Sequence, residues 1–138
     1  MSKLVLELEY DFDFTLIGVS SHVANYRLAW GMNQLFDLEL ERIDDVDLSF
    51  GPEKKGNFSI YRSEDEESYT TFHLISNRCS TGYLIPELKK MDYFIQYWGS
   101  MSSIELEQFK NELRKAPSVL AIVDIDPMHL KSRNNLLF

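Results

Sequence analysis

Twice along this 138-residue chain an extended pattern runs into a helical one and then into a second extended one. The first instance opens with a period of two. Leu4, Leu6, Leu8, Tyr10, Phe12, Phe14 and Leu16 fall on even positions, and Glu7, Glu9, Asp11 and Asp13 on odd ones. Successive side chains of a strand point to opposite faces, so this reads as one long half-buried strand, or two with a bend between them. At "LIGV", Leu16 to Val19, the alternation stops, and that end is expected to be buried on both faces. "SSHVANYRLAWGMNQLF" then has helical spacing. Val23, Tyr26 and Trp30 share one stripe, and Leu28, Met32, Leu35 and Phe36 share another beside it. Ser20 or Ser21 can accept a bond from a free amide at the helix start. The helix should end near Phe36, and "LELERI" alternates again, as a strand exposed on one side does.

The second instance lies in the C-terminal third. "MDYFIQYW" reads as a strand with Tyr93, Ile95 and Tyr97 on one face. A helix from Pro86 competes, because Leu88, Met91, Ile95 and Trp98 also fit a helical stripe. The aromatic content and Gly99 favour the strand. The following helix is better specified. Ser102 and Glu105 form an S-x-x-E capping box, and Met101 can staple against Leu106. Leu106, Phe109 and Leu113 mark its buried face. Arg114 and Lys115 suit its negative end, and Pro117 blocks its continuation. "VLAIVDI" follows as a buried strand. Between the two instances, "NFSIYRS" and "SYTTFHLIS" flank "EDEE", a hairpin with an acidic tip at residues 64–67. "GPEKKG" and "NRCSTG" read as turns. The tail, residues 127–138, ends in apolar residues that are expected to dock on the body.

This order predicts a single α+β domain spanning residues 1–138. It is a ferredoxin-like two-layer sandwich, with a mostly antiparallel sheet, two helices on one face and an inserted β-hairpin at about residues 57–77. A chain of this length buries a continuous core without staples.

The net charge is −8, and it is uneven: residues 1–50 hold ten acids against three bases. An acidic surface repels phosphate backbones, and no basic stripe with interleaved aromatics occurs, so nucleic acid and anionic membranes are poor partners. Cys79 is the one cysteine, which leaves no intrachain disulfide and predicts no thiolate metal cluster. The N-terminus reads as neither a signal nor a transit peptide, and no apolar run reaches the ~18 residues of a membrane span. The expected location is the cytoplasm.

"IPELKKMDY", residues 85–93, resembles the signature of the IPExxxVDY family of small bacterial proteins, best known in Bacteroidetes. Met91 stands where the family name has Val. "DFTLIGVSSHVANYRLAW" near the start and "IDPMHLKSRNNLLF" at the end are also similar to that family, so the resemblance covers nearly the whole chain. The family is named for its pattern rather than for an activity, and no catalytic residues carry over. The segments 14–43 and 91–125 also look like the two halves of an ACT domain. That likeness implies small-ligand or amino-acid binding where two domains meet, and regulation of an enzyme. Here Ser20, Ser21 and His22 stand where many ACT domains carry an acid followed by Pro-Gly.

Two stretches hold candidate site residues. In the first, Pro86 fixes its own backbone and biases Ile85 toward an extended shape. Glu87 and Asp92 can bond free amides, and Tyr93 can bury its ring while its hydroxyl finds a partner. That describes a structural corner, with acid–base chemistry by Glu87 and Asp92 as the competing reading. In the second, Ser20, Ser21, His22 and Arg27 can frame a small anionic or amino-acid ligand at a helix start, with simple capping by serine as the alternative. His22, His73 and His129 lack the spacing of a helical metal pair. Asp124 and Asp126 in "DIDP" would face one side of a strand, too few oxygens for a hard cation. No phosphate-binding glycine loop or nucleophile elbow occurs. The residues therefore favour a noncatalytic ligand-binding or regulatory module without cofactor, self-associating as a homodimer. A small acid–base enzyme and a protein-interaction subunit with an acidic tip are the alternatives.

Overall fold

The computed structural model describes residues 12–138. The even-position run from Leu4 to Tyr10 lies outside them. Strand β1, Thr15–Ser20, begins after Phe14, and its four central residues, Leu16 to Val19, are buried as expected. Helix α1, Asn25–Phe36, ends at Asp37, whose left-handed φ of 53° closes it. Three strands follow in succession: β2, Glu41–Gly51; β3, Lys54–Asp65; and β4, Thr70–Ser76. A two-stranded ribbon, β5 Arg78–Cys79 and β6 Gly82–Tyr83, precedes a single 3₁₀ turn at Pro86–Leu88. Strand β7, Tyr93–Trp98, helix α2, Ser103–Lys115, and strand β8, Ala121–Ile125, complete the second unit.

Among the described residues the main sheet has six strands in the order β2-β3-β4-β7-β1-β8, and every neighbouring pair is antiparallel. β7 and β8 both run opposite to β1, so α2 carries the chain over β1 to reach β8. β1 and β4 likewise flank β7. These are the interleaved crossovers that the sequence order predicts, in a two-layer α+β fold of the general ferredoxin-like kind. The extra strands differ in extent from the expected insertion. The added element is the whole β2–β3 hairpin, with only Pro52 and Glu53 between its strands, and it widens the sheet beyond β4.

Both helices pack on one face of the sheet. Their core combines Leu28, Ala29 and Met32 of α1 and Phe109 and Leu113 of α2 with Ile17, Val19, Tyr93, Ile95 and Tyr97 from the strands. α2 starts as its residues dictate. The Ser102 hydroxyl accepts from the Glu105 amide, and the Glu105 carboxylate accepts from the Ser102 amide, a box of the kind that contributes about 1 kcal/mol. The opposite face is buried too, among the described residues without an α-helix. Phe12, Phe14, Leu16, Phe58, Ile60, Ile75 and Phe94 are covered by Leu84 and Ile85 and by Leu130 and Leu136 of the tail, which docks as expected.

Several local expectations are corrected. Neither Ser20 nor Ser21 caps α1; the residue at that position is Ala24, which has no side-chain bond to give. The stripe of Tyr26 and Trp30 faces outward, with the two rings 65% and 67% exposed, because α1 turns Leu28, Ala29 and Met32 to the sheet instead. Leu38 and Leu40 precede β2 rather than forming it. "VLAIVDI" is an edge strand: among the described residues β8 pairs only with β1, and Val123 and Leu120 are exposed. Among the described residues, no helix is long and apolar enough to cross a membrane.

Candidate functional site

The two stretches singled out in the sequence prove to be one structure. Asp92 follows the 3₁₀ turn and accepts from the Ser21 amide at 2.8 Å, while its other oxygen meets the Arg78 guanidinium. The Ser20 hydroxyl donates to the Lys90 carbonyl at 3.2 Å. The Tyr93 hydroxyl donates to the Val23 carbonyl at 2.5 Å. Burial, then the charge of Asp92, raises the Tyr93 pKa, so the phenol stays protonated as that bond requires. The Ile-Pro-Glu corner and the β1–α1 loop are thus clasped to one another. Met91 lies against Gly18: a Cβ there would come within 2.5 Å of the Met91 sulfur.

At the centre of the corner is Asn77, a residue the sequence reading passed over as part of a turn. It is fully buried, with 0% exposure. Its Nδ2 donates to the Leu88 and Met91 carbonyls, both at 2.9 Å, and its Oδ1 accepts from the Ile85 amide at 2.8 Å. Its backbone bonds Asp92 and Leu84. Pro86 begins the 3₁₀ turn, where its missing N–H costs nothing. Ile85 is buried beneath it. Glu87 faces the tail and accepts from the Ser132 amide at 2.8 Å.

This wiring separates the would-be acid–base pair. Glu87 is engaged by the tail and Asp92 by the β1–α1 loop, and His22 is exposed. The anion frame is dispersed as well. The Ser21 hydroxyl donates to the Ser118 carbonyl at 2.5 Å and accepts from the Val23 amide, so both serines are already committed to the protein. Arg27 stays exposed and, with Tyr26 and Trp30, lines an open, mainly apolar groove of about 550 Å³ against Pro117 and Ser118. Asp124 pairs with Lys110 at 2.9 Å, and Asp126 caps the turn at Met128. Among the described residues, no three His, Cys, Asp or Glu side chains are grouped to hold a metal ion.

A polar chain, buried at His73 and Gln96 and partly exposed at Arg62, crosses the face opposite the α-helices. Arg62 Nε donates to His73 Nε2 at 2.9 Å, His73 Nδ1 and Gln96 Oε1 are 2.8 Å apart, and Gln96 Nε2 donates to the Leu136 carbonyl at 2.9 Å. Because Nε2 accepts from Arg62, the histidine hydrogen sits on Nδ1. The face of a strand pattern could have placed His73 and Gln96 together, since they are register partners on β4 and β7, but only once that pairing was known.

Among the described residues, the two edge strands of the sheet differ. β2 is guarded: its register shifts between Ile43 and Val46, and it carries Glu41, Arg42, Asp44, Asp45 and Asp47. β8 has no bulge and no proline. It presents Val123 at 47% exposure and is preceded by Leu120 at 61%, while its one acid, Asp124, shares Lys110 with Glu107.

No family model matches the chain, and no curated protein matches it either.

Proposed function

We propose that the chain is a noncatalytic binding or regulatory module of the cytoplasm, ferredoxin-like and ACT-like in architecture and related to the IPExxxVDY proteins, which self-associates as a homodimer through β8. The observation that carries this reading is the contrast between the edges. An unpaired row of backbone donors and acceptors is a template for another strand, and proteins blunt such edges with bulges and charge. β2 has both devices, whereas β8 has no bulge and a single acid, Asp124, paired with Lys110. An antiparallel edge is self-complementary under a two-fold axis, so a second copy of β8 is its natural partner. The exposed Tyr26 and Trp30 rings belong to the same helix layer and supply further apolar area.

Light scattering over a dilution series tests this. The wild-type protein is expected at dimer mass, and Val123→Lys at monomer mass with an unchanged circular dichroism spectrum, because Val123 is exposed and its replacement costs the fold little. A wild-type monomer at every concentration, or a variant that dimerises as the wild type does, would remove the self-association. A second reading, a protein-interaction subunit, draws on one observation: Glu64, Asp65, Glu66 and Glu67 are all exposed at the β3–β4 turn, free to meet a basic partner.

A further inference from the structure

We infer that the polar cleft between the start of α1 and the β2–β3–β4 strands is a site for a phosphate group. The inference deepens the ligand half of the reading above, moves the anion away from Ser20 to Arg27, and is independent of self-association.

The cleft has a volume of about 470 Å³ and is mainly polar. Arg42, Lys55 and Arg78 line it, against a single carboxylate, Asp45. With Arg78 also paired to Asp92, the cations still exceed the carboxylates at the cleft by one, in a chain whose net charge is −8. Such a reversal focuses an attractive field on an anion. Asp45 bonds only one nitrogen of Arg42, and Asp92 only one of Arg78. Each guanidinium has five N–H donors, so both keep donors to spare. Lys55 has no carboxylate partner among the described residues.

The floor of the cleft holds a donor that the protein does not use. The Ser59 and Ser76 hydroxyls lie 2.5 Å apart, and both residues are more than nine-tenths buried. The Asn25 amide nitrogen donates to Ser59 Oγ at 3.0 Å, and the Tyr61 hydroxyl donates to Asn25 Oδ1 at 2.9 Å, which fixes the orientation of that amide. Between the two serines there are two hydroxyl hydrogens and one hydrogen bond. Whichever serine donates to the other, the remaining hydrogen has no acceptor among the described residues. Both serines line the cleft, so that hydrogen can be donated to an acceptor that enters it.

Helix α1 adds a third contribution. Asn25 is its first residue, and the helix has no side-chain cap. That first residue lines the cleft, so the positive end of the helix dipole adds to the field there. Cationic rim, spare hydroxyl and uncapped helix all ask for a compact group with several acceptor oxygens and about two negative charges. A phosphate, free or as the monoester of a small molecule, has that form.

Isothermal titration with inorganic phosphate and with glycerol 3-phosphate, at constant ionic strength set by chloride, tests the site. Saturable binding of at least one probe is expected. Lys55→Gln is expected to weaken it about tenfold and Ser76→Ala severalfold, with Arg27→Gln binding as the wild type does. Tighter binding of the ester identifies a small-molecule phosphate, and equal binding identifies the free ion. No saturable heat with either probe, or wild-type affinity in Lys55→Gln, overturns the proposal. Light scattering on the same samples keeps the two readings apart: a dimer that ignores both probes ends the phosphate site alone.

Discussion

Asn77→Ala is expected to lower the stability of the protein by roughly 3–5 kcal/mol, measured by urea unfolding. The side chain answers three backbone groups at once, the Ile85 amide and the Leu88 and Met91 carbonyls, in a place with no solvent exposure. Alanine removes all three partners and leaves the groups buried. Each orphaned group costs about 1–3 kcal/mol, and partial relaxation keeps the sum near the lower end of that total. Asn77→Asp sharpens the result. It keeps the acceptor for Ile85 but loses both donors and sets a carboxylate against two carbonyl oxygens, so it should be at least as damaging. A loss below about 1 kcal/mol in the alanine variant would mean that water replaces the side chain, and that the Ile-Pro-Glu corner stands without it.

The second large effect is a dependence on pH. Burial first, and the charge of Arg62 after it, hold the His73 pKa at about 4 against the bond to Gln96, which acts the other way; the ordinary value is 6.5. Between those two values the unfolded chain binds a proton that the folded protein refuses. Stability is therefore full above pH 6.5, falls as the pH drops toward 4, and loses nothing more to this group below that. The depression corresponds to about 3 kcal/mol over the window. His73→Gln carries no titrating ring, so the difference between the wild-type and variant unfolding free energies should change with pH across this window and be constant above it. Parallel curves from pH 7 to pH 4 would show that His73 ionises in place, against the geometry in which Nε2 accepts from Arg62.

The residues that could be read from the sequence are those whose meaning is local. The capping box of α2, the turn residues and the aromatic strand at 93–98 depend on neighbours within a few positions, and each was legible. The interleaved crossovers followed from their order. What was lost depends on contacts between distant segments. Asn77 looks like any asparagine in a turn until residues 84–92 fold back over it. The wide apolar arc of α1 held two stripes of comparable strength, and only the sheet decides that Leu28 and Met32 go inward while Tyr26 and Trp30 stay out. β8 reads as a core strand because its composition is apolar; its place at the edge is a matter of topology. The cations of the cleft, Arg42, Lys55 and Arg78, are scattered among acids along the chain and gather only when β2, β3 and β5 are aligned.

One strand belongs to both sides of the molecule. β7 is flanked by β4 and β1, and its side chains alternate between the helix-bearing core, through Tyr93, Ile95 and Tyr97, and the other core, through Phe94. Neither layer can loosen without disturbing the same six residues, so opening is all-or-none rather than piecemeal. In deuterium exchange, the amides of β7 should be the last to trade their protons, at a rate set by global unfolding, and any substitution that weakens either side should speed them equally.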